Sequence, residues 1–160
     1  MQFKDVPGQE NLKSHLIQGV KNSRVSHAQL FCGPEGSGAL PLALAYAQYI
    51  NCENPGDTDS CGVCANCNKY NKLIHADLHF CYPVSGREKL STAYLEEWRK
   101  AFTDNPFLNV HQWIECIAAE NKQGNIAADE ARDIIRKLTL KMFEGPYKVL
   151  IMWMPEYLAG

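Results

Sequence analysis

Strong charge of either sign is missing from this chain. Sixteen basic and 18 acidic residues leave a formal net charge of −2 and a pI near 6.2. That balance removes any global electrostatic attraction to nucleic acid. No apolar run approaches the roughly 18 residues that a membrane span needs. The N-terminus carries no charged-then-apolar leader pattern, so a cytoplasmic protein is expected, with no membrane partner. Internal repeats and low-complexity segments are absent too, which excludes solenoids and disordered linkers. The abrupt stop at Gly160, a few residues past an apolar segment, reads as the N-terminal piece of a longer protein.

A subtler absence lies at residues 33–40, Gly-Pro-Glu-Gly-Ser-Gly-Ala-Leu. A phosphate-binding loop ends in Gly-Lys-Ser/Thr, where the lysine reaches the β/γ-phosphates and the hydroxyl holds Mg²⁺. Here Gly33, Pro34, Gly36, Ser37 and Gly38 keep the loop's shape, while Ala39 and Leu40 occupy the two reactive places. Losing one charge-assisted hydrogen bond costs about 1.5–3 kcal/mol, so Ala39 alone weakens nucleotide affinity some 10- to 100-fold. Leu40 cannot ligate Mg²⁺ at all. A glycine turn that binds nothing remains the plainer alternative.

Cysteine is plentiful. Cys52, Cys61, Cys64 and Cys67 are spaced Cys-x8-Cys-x2-Cys-x2-Cys, which can wrap four thiolates tetrahedrally around Zn²⁺. Four sulfur ligands leave no open position for water, so the expected ion is structural. The intervening residues 53–60 are too polar to fold by burial, and a metal clip supplies what burial cannot. Unligated surface thiols or a redox motif are the alternatives. Cys32, Cys81 and Cys116 read as buried small hydrophobes. His75 and His79 read as structural or surface histidines.

The apolar periodicity predicts a helix over 9–22, a strand over 26–32 and, after the glycine loop, a helix with Leu42, Ala45, Tyr46, Tyr49 and Ile50 on one face and Pro41 in its first turn. Next come a cysteine-rich loop module at 51–74, a strand at 78–82 and a helix over 91–103. A shorter helix capped by Asn109 follows, then a turn at 121–125. Residues 128–142 read as an amphipathic helix with Ala131, Ile134, Ile135, Leu138 and Met142 inward, and an Asp133–Lys137 pair outside. Tyr147–Trp153 reads as a buried parallel strand, with Glu156 beyond it as a loop or helix-start carboxylate. Alternating strands and helices, with a strand–glycine loop–helix unit, imply a P-loop-type α/β fold with a central parallel sheet flanked by helices. Residues 1–160 form one such domain, with a zinc module at 51–74 and a helical insertion at 84–124.

In that fold the apolar strand should end in an acidic residue for Mg²⁺. Here it ends in Trp153 and Met154. Two independent defects therefore agree that the domain is catalytically silent and that ATP is not a cofactor. Tyr94, Trp98, Phe107 and Trp113 within the insertion read as a satellite apolar cluster, with a partner surface as the alternative. Arg87, Lys89, Arg99 and Lys100 alternate with acids and read as a solvated face rather than a DNA patch.

Together these features resemble the clamp-loader subunits of bacterial DNA polymerase III, delta-prime and gamma/tau. The residues that carry the resemblance are Phe3-Lys-Asp-Val-Pro-Gly-Gln9, His27-Ala-Gln-Leu-Phe31, the loop 33–38 and the four cysteines. His75-Ala-Asp-Leu78 and the run Asp129–Met152 with Glu144-Gly-Pro-Tyr-Lys-Val149 complete it. Residues 84–124 depart from the family pattern. The resemblance implies an AAA+ module, and Ala39, Leu40 and Trp153 look like delta-prime, which has no working nucleotide site. It further implies a rigid stator that contacts gamma/tau and delta and helps place the sliding clamp on primed DNA. Such a chain is no enzyme itself but a component of the polymerase holoenzyme. The family's Ser-Arg-Cys arginine finger, lid and collar do not occur in residues 1–160. Three other readings compete: a gamma/tau-type ATPase, a P-loop kinase with a zinc-stabilised lid, and a zinc-ribbon nucleic-acid binder.

Overall fold

The computed structural model describes residues 1–86, 88–117 and 123–158. Part of the turn expected at 121–125 and the basic residue Arg87 lie outside the described residues. The chain packs as two compact units. Unit 1 comprises Met1–His75 and Glu144–Tyr147, and unit 2 comprises Ala76–Phe143 and Lys148–Gly160.

Unit 1 is helical among its described residues. α1 spans Glu10–Lys21 and buries Leu16 and Ile17. α2 spans Ala39–Ile50 and is apolar nearly all round, so ten of its twelve residues are buried. α3 spans Ala65–Asn71 and lies inside the stretch expected to be loop. Residues 26–32 form no strand. Without a hydrogen-bonded neighbour an extended segment has no ladder to join, and Leu30 stands 79% exposed.

Unit 2 holds the sheet, β1 (Leu78–Cys81) and β2 (Val149–Met152), paired in parallel with Leu78 opposite Val149 and Cys81 opposite Met152. Among the described residues the sheet has these two strands. The strand expected over Tyr147–Trp153 is therefore shorter and only half-buried, with Ile151 its buried member. α4 (Leu95–Asp104) and α5 (Val110–Ile117) follow β1. Asn109 caps α5 reciprocally: its Oδ1 accepts from Gln112 N and Gln112 Oε1 accepts from Asn109 N, both at 2.9 Å.

Two of the four aromatic residues of the expected satellite cluster, Trp98 and Trp113, are instead at the centre of unit 2, whereas Tyr94 is half-buried. Trp98 and Trp113 are fully buried, with ring centroids 5.1 Å apart. Tyr82 stacks on Trp98 at 4.2 Å and Trp153 lies 5.3 Å from it. Trp113 Nε1 donates to Pro83 O at 2.7 Å. Phe107 stays at the surface.

α6 (Ala128–Thr139) is turned the other way from its periodicity. Glu130 and Asp133 are buried, while Ala131, Ile135, Leu138 and Met142 are exposed and Ile134 is half-buried. The reason is polar satisfaction. Glu130 accepts Ser91 N at 2.9 Å and the Ser91 hydroxyl, and Ser91 O accepts the Tyr82 hydroxyl at 2.8 Å. Asp133 is paired with Lys137 at 2.5 Å and Arg136 at 2.7 Å, so this pair sits inside rather than outside. No helix of the described residues is long and apolar enough to cross a membrane.

Replacing Glu130 by Ala should cost about 2–3 kcal/mol, because Ser91 N–H is left buried without an acceptor. Glu130→Gln, which keeps an acceptor oxygen, should cost less. Urea unfolding followed by tryptophan fluorescence checks both, and equal losses would contradict this account.

Candidate metal centre

The four spaced cysteines converge. Their sulfurs all lie within 4.8 Å of one another, with Cys61 and Cys67 at 3.9 Å. A disulfide needs about 2.05 Å, so these are separate thiols. Tetrahedral zinc with Zn–S near 2.3 Å sets sulfurs about 3.8 Å apart, close to the spacing seen. The donor set therefore fits a soft divalent ion.

Local chain geometry explains the convergence. Cys52 follows Asn51, the C-cap of α2. Gly62 adopts φ +75°, a left-handed turn between Cys61 and Cys64. Cys64 caps α3, its sulfur accepting from Cys67 N at 3.4 Å. Cys64 N in turn donates to Cys61 Sγ at 3.3 Å, and Cys61 N donates to Cys52 Sγ at 3.2 Å. Such N–H···S bonds stabilise thiolates and orient them as ligands. Backbone N–H groups from Val63 and Cys64 bring the Cys61 thiol down to about 6, whereas burial pushes Cys52 and Cys67 up. Three of the sulfurs are thus already held by the backbone in ligand orientation.

The module is tied to its surroundings by polar groups that the sequence pattern did not single out. The Asp59 carboxylate accepts Phe3 N and Lys4 N at 3.0 Å and Ser60 N at 2.8 Å. Gln48, fully buried, donates to the Ser60 hydroxyl at 3.1 Å. Asn51, Asn66 and His75 are also buried, and His75 Nε2 lies 3.3 Å from Asn66 Oδ1. Polar residues bordering cysteine ligands were the available signal. His79 stands on β1, outside the cysteine group.

The glycine loop, also in unit 1, leads into α2. Gly36 and Gly38 have φ of +77° and +83°, and Gly38 O accepts Leu42 N at 2.9 Å as the helix begins. Ser37 N donates to Pro34 O at 3.0 Å, and Ser37 O accepts the Gln9 side chain. Gly33 is exposed, Ala39 is half-buried, and Leu40 is buried among the apolar residues of unit 1. In unit 2, Trp153 N continues the ladder by donating to Cys81 O at 2.8 Å, and its ring packs on Trp98. Glu156 sits in a single 3₁₀ turn at Pro155–Tyr157 and is exposed.

A family model described as "DNA polymerase III, delta subunit" matches residues 8–159. The chain belongs to this DNA polymerase III subunit family. Curated relatives agree. "DNA polymerase III subunit tau" of Escherichia coli is 38% identical over 76 residues, covering 48% of this chain and 12% of the relative. Its Bacillus subtilis namesake is 38% identical over 65 residues, 41% of this chain and 12% of the relative. "DNA polymerase III subunit gamma" of Buchnera aphidicola is 30% identical over 98 residues, 61% of this chain and 26% of the relative. The chain thus spans a small part of the length of these relatives. The family's mixed α/β character is present here as the parallel β1–β2 pair with its helices.

The remaining cysteines divide by exposure. Cys81 is buried as expected and its thiol is pushed up to about 12 by burial. Cys32 and Cys116 are exposed, contrary to expectation, because 26–32 forms no strand and Cys116 lies on the outer side of α5. Alkylation of the reduced protein at neutral pH should therefore label Cys32 and Cys116 well before Cys81, which is both inaccessible and un-ionised. Peptide mass spectrometry over time reads the order. Early labelling of Cys81 would contradict the burial described.

Proposed function

We propose that this chain is the N-terminal part of a clamp-loader subunit of DNA polymerase III that works as a non-catalytic stator of the delta-prime type. The observation that carries the reading is Leu40. At the place where a phosphate loop presents its Mg²⁺ ligand, this chain puts an apolar side chain, 7% exposed, into the core at the start of α2. Ala39 supplies no cation for phosphate, and Trp153 places an indole against Trp98 where the strand end would carry an acid. The loop keeps the left-handed glycines and loses every group that would polarise a phosphoryl transfer. Such a subunit serves ATP-dependent loading of the sliding clamp on primed DNA by holding gamma/tau and delta in place. It contributes to the polymerase at the level of the complex, in the bacterial cytoplasm.

Zn²⁺ held by Cys52, Cys61, Cys64 and Cys67 belongs to the same reading. With four sulfur ligands the ion supplies structural cross-linking and no reactive water. The sulfur spacing and the three N–H···S bonds support it. About one zinc per chain is expected, with loss of the 51–74 fold on chelation. Elemental analysis of reduced, freshly purified protein that finds no zinc would contradict this part.

A gamma/tau-type ATPase is the second reading, favoured by the names of the curated relatives. An ATP titration with and without Mg²⁺ separates the two. The stator reading predicts no saturable Mg²⁺-dependent binding at micromolar ATP, since the missing lysine alone costs about 10- to 100-fold. Micromolar, Mg²⁺-dependent binding would overturn it and favour the ATPase.

A further inference from the structure

Residues Glu144–Tyr147 belong to unit 1, although the chain between His75 and Glu144 builds unit 2. The groups that hold them come from residues bordering the cysteines. Asn51, next to Cys52, accepts Tyr147 N at its Oδ1, 3.0 Å away. Lys69, two residues past Cys67, reaches Glu144 Oε2 at 2.5 Å. His75 Nε2 lies 3.9 Å from the same oxygen. Asn66 lies beside Cys67, and its amide joins the set by donating to Asn51 O at 2.9 Å. Tyr70 accepts Asn51 Nδ2 at 2.7 Å, and its ring lies 4.7 Å from that of His75. A Cβ on Gly145 would run into Asn51 Oδ1 and stand 3.2 Å from His75 Cε1, so glycine is required for the segment to seat.

We propose that the four-cysteine module is a metal-dependent clamp on residues 144–147, with Asn51, Lys69 and His75 as its gripping groups. The proposal rests on the metal reading above. α3 is seven residues long, too short to persist in isolation, and its N-cap is a ligand cysteine. Asn66 and Lys69 ride on that helix, and Asn51 directly precedes another ligand. An ion bound to the cysteines fixes the backbone of all three. Without the ion, the residues that grip 144–147 lose the frame that positions them, and the clamp opens. In the chain the clamped residues run directly into Lys148 and β2, so metal occupancy sets how firmly the approach to that strand is held.

Amide hydrogen exchange of the zinc-loaded chain, compared with the chelated chain, tests the clamp, with zinc content measured in parallel. The Tyr147 amide should exchange about tenfold faster or more after chelation, while Val149–Met152 change little. Glu144→Gln, which removes the Lys69 ion pair and no ligand, should raise exchange at Gly145 and Tyr147 by about threefold to tenfold with zinc content unchanged. Gly145→Ala should do the same through the clash with Asn51. Unchanged Tyr147 exchange in protein that has demonstrably lost zinc overturns the clamp and leaves the metal reading intact. A chain that never binds zinc overturns both. Unchanged exchange in both Glu144→Gln and Gly145→Ala also overturns the clamp.

Discussion

Four sulfurs gathered within 4.8 Å are the constraint on which unit 1 depends. Burial alone gives no reason for it: residues 53–60 are polar, and crowding four thiols raises the cost of ionising those that are desolvated. A divalent ion reverses that cost, because it favours the deprotonated sulfurs that burial penalises. Once the cysteines are placed, much else follows. Cys64 starts α3, Asp59 faces the N–H groups of Phe3 and Lys4, and Asn51 and Asn66 meet between α2 and α3. Phe3 then packs on Tyr49, with ring centroids 5.6 Å apart, and closes the unit.

The glycine loop makes the complementary point. Its backbone still turns through left-handed glycines into the N-terminus of α2, a place suited to anions. The side chains at its end are Ala39, half-buried, and Leu40, packed into unit 1. Burying a leucine is worth about 1.5–3 kcal/mol, and that gain needs no ligand to be realised. On the proposed stator reading, packing of this kind suits a part that stays assembled whether or not nucleotide is present. Trp153 repeats the pattern in unit 2, where its indole joins Trp98, Tyr82 and Trp113 in the core.

Local patterns in the sequence carried much of this. The cysteine spacing located the metal candidate because ligand geometry is written in short offsets, and Asn109 announced α5 through its cap. Helices α1, α2 and α4 fell where the periodicity put them. The errors share a physical origin in long-range partners. Residues 26–32 have strand composition but, among the described residues, no strand to pair with. α6 has an apolar face, yet Glu130 is drawn inward by Ser91, thirty-nine positions away in the chain. Trp98 and Trp113 looked peripheral because nothing local shows that Tyr82 and Trp153, the residues just past β1 and β2, come to meet them. The same limit hid the grip on 144–147, whose members are scattered from Asn51 to Tyr147.

On the proposed reading, a closed, all-sulfur metal site organises unit 1. X-ray absorption at the zinc edge of the purified chain tests it most directly. The account predicts four sulfur scatterers at about 2.3 Å and no oxygen or nitrogen in the first coordination sphere. Water in the shell would mean an open site and would contradict a purely structural role for the ion, and a nitrogen ligand would contradict the all-sulfur donor set.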